Sequence, residues 1–183
     1  IFRCPRWFLD SLPPYNLLKG KMLDGELWAG RDNFQMMGTV RKKEPIDEEW
    51  MDIQYQVYDI VGEDETQFRD RIKMMKDIIS FTEKRWVILQ KDGTIPYPMN
   101  NVNCPVQMTK QTKVTSYGQM DRYYKKIIKE SGEGIMLKHP LTSYIDGRNS
   151  YLLKYKPSFD REAIITGYKE GNGKYKGMLG GFI

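Results

Sequence analysis

Lys154 and Lys156 stand two positions apart in the run Leu152-Leu153-Lys154-Tyr155-Lys156-Pro157. On an extended chain alternate side chains share a face, so both ammonium groups project the same way, with Leu153 and Tyr155 opposite. Two like charges side by side weaken a strand unless an anion bridges them, and phosphate is the natural anion. The plainer reading is a basic sheet edge, kept charged against aggregation. Glu133 is the second group able to do chemistry. It lies between two glycines at the mouth of an apolar run, Gly132-Glu133-Gly134-Ile135-Met136-Leu137-Lys138. Glycine lets a backbone approach a ligand closely, and a carboxylate there suits a hard cation such as Mg²⁺. As a mere turn acid after a helix it would do neither.

Two further patterns add to these. In Leu23-Asp24-Gly25-Glu26-Leu27-Trp28, strand alternation places Asp24, Glu26 and Trp28 on one face and Leu23 and Leu27 on the other. Two carboxylates on one face repel unless a cation or hydrogen-bond donors sit opposite. In Tyr55-Gln56-Val57-Tyr58-Asp59, an aromatic beside an acid at a strand end offers a flat surface on which a base could stack. Most such aromatics are core. Singly, each pattern is weak. Together, in this order, they read as a nucleotide pocket: an aromatic for stacking, lysines for phosphate and acids for a metal.

The elements that must position these residues follow from periodicity. Residues 22–29, 53–61, 86–89, 134–137, 151–155 and 163–168 read as strands. Residues 66–84 carry Phe68, Ile72, Met75 and Ile79 at helix spacing, and 119–130 carry Met120, Tyr124, Ile127 and Ile128, with Gly132 as the stop. Residues 1–21 and 96–105, rich in proline, read as loop. Many strands with few helices and mostly antiparallel signals give an α+β fold.

Composition narrows the class. The 183 residues are 40% hydrophobic and 13% aromatic, enough to bury a core and exclude a disordered chain. No run approaches the ~18 uncharged apolar residues of a membrane span. Residues 1–98 hold 15 basic and 17 acidic side chains, and residues 99–183 hold 14 and 7, so the C-terminal half is +7. That imbalance suits a polyanion, although charge alone reads equally as a solvated basic face. Cys4, Cys104 and the single His139 leave no Cys/His zinc set and point to a reducing, intracellular setting. The chain opens at Ile1 in an apolar-aromatic stretch and stops on Gly180-Gly181-Phe182-Ile183, which reads as a piece of something longer.

The order D-G-E-L, Y-x-x-Y-D, E-G-I-M-L-K and L-L-K-Y-K-P resembles the covalent nucleotidyltransferases, and among them most closely the ATP-dependent DNA ligases. Trp7-Phe8 with Leu12-Pro13, Leu27-Trp28-Ala29-Gly30-Arg31, Tyr144 with Gly147-Arg148, and the glycine-rich stretch 171–180 are ligase-like as well, so the resemblance covers nearly the whole chain. It implies an adenylation domain of antiparallel sheets with flanking helices over 1–159, lacking its N-terminal part. The start of an OB-fold β-barrel would follow over 160–183. It implies ATP and Mg²⁺ as cofactors, nicked double-stranded DNA as partner, a monomer, and no membrane. A lysine would take AMP from ATP, pass it to a 5′-phosphate, and the 3′-hydroxyl would then displace it. By the same resemblance Glu26 lies near the ribose or the metal, Tyr58 stacks on adenine, Glu133 binds metal, Lys154 and Lys156 contact the α-phosphate, and Arg148 and Arg31 engage the nick or the AMP.

One departure is large. The family's nucleophile is the lysine of K-x-D-G, and no K-x-D-G occurs here: Lys21-Met-Leu-Asp24-Gly25 is one residue too long and Lys91-Asp92-Gly93 one too short. The expectation is a nucleophile upstream of Ile1 and no self-adenylylation by these residues alone. The alternatives are an mRNA capping guanylyltransferase, an RNA ligase, or a non-catalytic ligase-like module that binds nucleic acid. Capping enzymes usually carry Asp-Gly where this chain has Glu133-Gly134, which favours the DNA ligase.

Overall fold

The computed structural model describes residues 2–62 and 65–183; Ile1, Glu63 and Asp64 lie outside them. Met22–Trp28 (β1) and Gln54–Val61 (β2) pair antiparallel. The alternation in β1 sets its two faces: Leu23 and Leu27 pack on the core, while Glu26 and Trp28 stay exposed. In β2 the pairing shifts, Asp24 facing Asp59 and Gly25 facing Val57, so Tyr58 has no partner on β1. Such a bulge re-aims one side chain. Tyr58 turns outward at 38% exposure while Val57, Asp59 and Ile60 on either side are buried.

Val106–Met108 (β3) adds to β2 in parallel, giving the order β1-β2-β3. A parallel pair needs a long crossover, and Phe68–Lys91 (α3) lies within it. Phe68, Arg71, Met75, Ile78, Ile79, Thr82 and Trp86 form the buried stripe of this helix, at the i, i+3, i+4, i+7 spacing of a helix face. They close the core together with Ile53, Val57, Ile60 and Val106. Arg6–Ser11 (α1) brings Trp7 and Phe8 into the same core. Phe8 meets Trp50 at 4.9 Å and Trp7 meets Trp86 at 6.2 Å between ring centroids. Tyr15–Leu18 (α2) follows.

The second part begins with Tyr117–Lys129 (α4), capped by Ser116, whose hydroxyl accepts from the Gln119 N–H. Ile135–Lys138 (β4) and Leu152–Tyr155 (β5) then pair antiparallel. The segment after β4 caps α3. No side chain satisfies the first turn of that helix; instead the Phe68 N–H donates to the Thr142 carbonyl and the Arg69 N–H to that of Pro140, both at 2.9 Å. Orphan N–H groups at a helix start need such partners, and here they hold the second sheet against the first. Tyr168–Glu170 (β6) and Leu179–Phe182 (β7) form a separate two-stranded antiparallel sheet.

The fold is α+β, with several local differences from expectation. Residues 86–89 are the last turns of α3, not a strand. Trp86 continues the buried stripe from Thr82, no Gly or Pro intervenes before Gly93, and Val87 and Ile88 face outward. Four apolar residues cannot by themselves distinguish strand from helix. The strand expected over 163–168 begins only at Tyr168, because the run opposite it is 179–182; Thr166 and Gly167 still exchange hydrogen bonds with Ile183. The first 21 residues contain α1 and α2, too short to show a period. β3 makes the first sheet mixed. Residues 168–182 form a hairpin and no closed barrel.

Candidate active site

The first wall of the candidate site is the outer face of β1 and β2. Tyr58, Asp24 and Glu26 cluster there. Partial burial, the Asp24 carboxylate and then Glu26 and Asp59 push the Tyr58 phenol above its ordinary value. Tyr144, from the loop between β4 and β5, donates its hydroxyl to Asp24 Oδ2 at 2.9 Å. Burial first, and this bond second, raise the Tyr144 pKa to about 12. The Tyr144 hydroxyl, with the Tyr58 phenol nearby, thus offsets the carboxylate repulsion expected on this strand. Gly25 between the acids has its own reason. The Tyr55 ring lies across β1, its hydroxyl donating to the Leu23 carbonyl at 2.7 Å. A Cβ on Gly25 would stand 2.6 Å from that ring and 2.6 Å from the Gln56 carbonyl.

The second wall is the mouth of the β4–β5 ladder. Lys154, opposite Met136, places its Nζ 3.6 Å from Glu133 Oε2. Both side chains are open to solvent, at 55% and 90% exposure. Gly134 has φ of +150° and passes so close to β5 that a Cβ would stand 2.3 Å from the Tyr155 carbonyl and 3.0 Å from Lys156 Cα. Its bare backbone is what lets Glu133 sit directly beside Lys154 and Lys156. On the far side, Tyr155 meets Tyr124 of α4 edge to face at 4.7 Å.

A buried ionic cluster joins the walls. Asp59, fully buried, accepts from Arg71 Nε at 2.7 Å and Nη2 at 3.0 Å, from its own neighbour Ile60 N–H, and from Lys138 Nζ. Burial alone would raise the Asp59 pKa. The Arg71 and Lys138 hydrogen bonds outweigh it and hold the carboxyl below its ordinary value. Lys138 Nζ also lies 4.5 Å from the Phe68 ring centroid and 5.7 Å from that of Tyr144.

Glu133 and Lys154 are therefore in direct contact, with Lys156 next to them, and Glu26 and Tyr58 share one cluster. Among the described residues no hydrogen bond or ion pair runs directly between the two groups; they are coupled through Asp59 and Lys138. Arg31 lies elsewhere. Its Nη1 donates to the carbonyls of Ile127 and Glu130 at the end of α4 and lies 3.4 Å from the Glu130 carboxylate. Arg148 is exposed beside Gly147 in the loop before β5. Sequence reasoning missed Arg71, Lys138 and Tyr144 as site-forming residues. Lys138 and Asp59 do end two of the quoted patterns, which is the one signal that could have drawn attention to them.

As for a metal, no group of three or more His, Cys, Asp or Glu side chains converges among the described residues. Glu133 and Glu26 each offer a hard oxygen donor. One or two carboxylates is the number Mg²⁺ uses when substrate phosphates supply the rest of its shell, so the donors fit a metal that arrives with a nucleotide.

Comparison with known proteins identifies the family and the fold. A DNA ligase of Haemophilus influenzae (strain ATCC 51907 / DSM 11121 / KW20 / Rd) is 21% identical over 176 residues, 96% of this chain and 56% of that protein. The chain thus spans little more than half the length of that relative. A solved structure described as "DNA binding with a minimal scaffold: Structure-function analysis of Lig E DNA ligases" has the same fold, with a TM-score of 0.70 at 24% identity over 99% of this chain and 61% of the other. Another, Pmar-Lig_PreS3, gives a TM-score of 0.55 at 20% identity, covering 91% and 38%. The model of the ATP dependent DNA ligase domain matches residues 15–156, a stretch that holds both walls and the cluster between them, and this chain belongs to that family.

Proposed function

We propose that the chain supplies the nucleotide-cradling part of an enzyme that seals nicks in double-stranded DNA through enzyme-adenylate and DNA-adenylate intermediates. The observation that carries this reading is the pairing of Lys154 with Glu133 at 3.6 Å, in a chain whose residues 15–156 match the ligase family. A flexible cation beside a carboxylate, both open to solvent, is a site arranged to exchange partners. With a nucleotide bound, Lys154 and Lys156 would contact its α-phosphate and Glu133 would be free to hold Mg²⁺. Tyr58, bulged outward, offers its ring to adenine. Glu26, on the same face, reaches the ribose or the metal. A bound Mg²⁺ would neutralise charge that develops on the phosphates. Phosphoryl transfer asks little more of a protein than positioning and charge.

The nucleophilic lysine of K-x-D-G is not among these 183 residues, and the chain by itself does not form a covalent adenylate. Arg148 would engage the nicked DNA or the AMP, and Arg31, whose guanidinium lies at the end of α4, would do so less directly. Residues 160–183 are read as the start of an OB-fold unit that closes over the DNA. A reducing, intracellular setting belongs to the same proposal, from the cysteine usage of the sequence. Among the described residues no helix is long and apolar enough to cross a membrane.

Titration calorimetry of the chain with ATP and with GTP, each with Mg²⁺, tests the reading. Binding of ATP in preference to GTP is expected, together with no protein-bound label from [α-³²P]ATP that survives denaturation in SDS at neutral or alkaline pH. A preference for GTP would favour the capping reaction. Covalent AMP on the isolated chain would overturn the placement of the nucleophile. Joined to a K-x-D-G segment, the protein should seal a nicked DNA duplex in preference to a nicked RNA duplex.

A further inference from the structure

The exposed face of α4 carries charge that the nucleotide site does not use. Residues 109–129 contain six basic side chains (Lys110, Lys113, Arg122, Lys125, Lys126, Lys129) and one acid, Asp121. That acid is already held by Lys125 at 2.8 Å. Glu130 lies just beyond, 3.8 Å from Lys126 and in contact with Arg31. Among the described residues no carboxylate comes within 4 Å of Lys113, Arg122 or Lys129.

These cations are not scattered. Met120, Tyr124, Ile127 and Ile128 turn toward the protein, and Tyr124 meets Tyr155 of β5. That leaves Arg122, Lys126 and Lys129 as a stripe at i, i+4 and i+7 on the outside. Beside it the segment 112–114 runs alongside the helix. The two enclose a groove of about 380 Å³ lined by Lys113, Gln119, Arg122, Tyr123 and Lys126, with Thr112 at its edge. Arg122 Nη1 lies 3.6 Å from where a Cβ on Gly118 would stand, so its guanidinium folds back along the helix toward the groove. The groove is open and cationic from both sides, with the half-buried Tyr123 among its lining residues.

Its natural occupant is a run of phosphodiesters. From Arg122 to Lys129 the helix rises about 10 Å at ~1.5 Å per residue, which matches about three steps of ~3.4 Å along one strand of a duplex. Val114 and Tyr123 also line the groove; the unpaired charge and its spacing, rather than these apolar atoms, favour a polyanion over an acidic protein segment.

We infer that the α4 groove is a backbone-binding surface for duplex DNA, separate from the nucleotide site and indifferent to the nick. The inference rests on the DNA-joining reading above and extends it to a second, sequence-independent contact. Phosphate contacts of this kind position a duplex without reading bases.

The test compares two charge-matched triple variants of the chain. K113A/R122A/K126A empties the groove, and K76A/K84A/K91A removes three exposed lysines from α3. Fluorescence anisotropy with one labelled duplex, nicked and intact, is followed across salt concentration. Circular dichroism and ATP titration of each variant confirm that fold and nucleotide binding persist. The groove variant should lower the slope of log K against log salt by about 2 to 3, at ~0.9 per lost phosphate contact. Its affinity should fall about tenfold or more for both duplexes, while the α3 variant stays close to wild type. Equal effects of the two triples, or no effect of the groove triple, would overturn the groove assignment and leave the ligase reading standing. A wild-type chain that binds ATP but no duplex at 50 mM salt would sink both.

Discussion

Asp59 and Lys138 are 79 positions apart in sequence and meet in a buried ion pair, with Arg71 on the other side of the carboxylate at 2.7 Å and 3.0 Å. Asp59 immediately follows the outward-turned Tyr58, and Lys138 ends the strand that begins two residues after Glu133. The pair therefore sets the spacing between the aromatic wall and the carboxylate–lysine wall. A charge taken out of water needs full compensation, and this one has two cations and a backbone N–H.

Removing the carboxylate strands two cations. Asp59→Ala should lose about 3 to 5 kcal/mol of stability, the usual cost of breaking a buried ion pair from one side. Urea unfolding followed by tryptophan fluorescence measures it, since Trp7, Trp50 and Trp86 all lie in the core. A loss below ~1 kcal/mol would mean the cluster does not hold the walls together.

The same carboxylate sets an acid limit. Its pKa in the fold is held below the ordinary aspartate value of about 3.9. The unfolded chain therefore takes up the proton first as pH falls. The stabilisation is complete above the unfolded value and disappears as pH drops through the lower folded one. Lys138→Met removes one of the two cations and shrinks the depression. Its stability should fall less steeply than wild type between pH 5 and pH 2, from a lower starting level. Parallel curves in urea titrations at stepped pH would contradict this account of Asp59.

Gly134→Ala should open the second wall. The new Cβ would meet the Tyr155 carbonyl at 2.3 Å, in a backbone conformation with φ of +150° that L side chains rarely adopt. Strain of this kind costs on the order of 1 to 3 kcal/mol. Because the strain falls where Glu133 and Lys154 meet, ATP binding should weaken by more than tenfold. Unchanged calorimetric affinity would show that this close approach does not matter to the site. Gly181→Ala, in open space and without a positive φ at the other end of the chain, should leave ATP affinity untouched.

Tyr58 separates stacking from hydrogen bonding. Tyr58→Phe keeps the ring and loses the hydroxyl that faces Asp24; ATP affinity should change less than threefold. Tyr58→Ala should cost about 1 to 3 kcal/mol of ATP binding, the usual worth of one base on an aromatic platform. Comparable affinities for the alanine and phenylalanine variants would remove Tyr58 from the site.

Much of this molecule is legible in its sequence because the relevant forces are local. Strand alternation assigns Leu23 and Leu27 to the core and Glu26 to the open face without any coordinates. The i, i+3, i+4 recurrence finds α3 and α4. The order of D-G-E-L, Y-x-x-Y-D, E-G-I-M-L-K and L-L-K-Y-K-P carries the family. Where local signals ran short, structure corrected them. Trp86 to Leu89 looked like a strand because four apolar residues have no period of their own, and only the stripe from Phe68 onward shows that the helix continues.

What tertiary structure alone decided is which residues of those patterns meet. Nothing local tells that Lys138 seeks Asp59, that Tyr144 donates to Asp24, or that Arg31 spends its guanidinium on the end of α4. These are pairings between charges and dipoles far apart along the chain, and their strength depends on burial, which exists only once the sheets and α3 have packed. Sequence determined the chemical inventory and the elements that carry it; packing determined the dielectric and the distances in which that inventory acts.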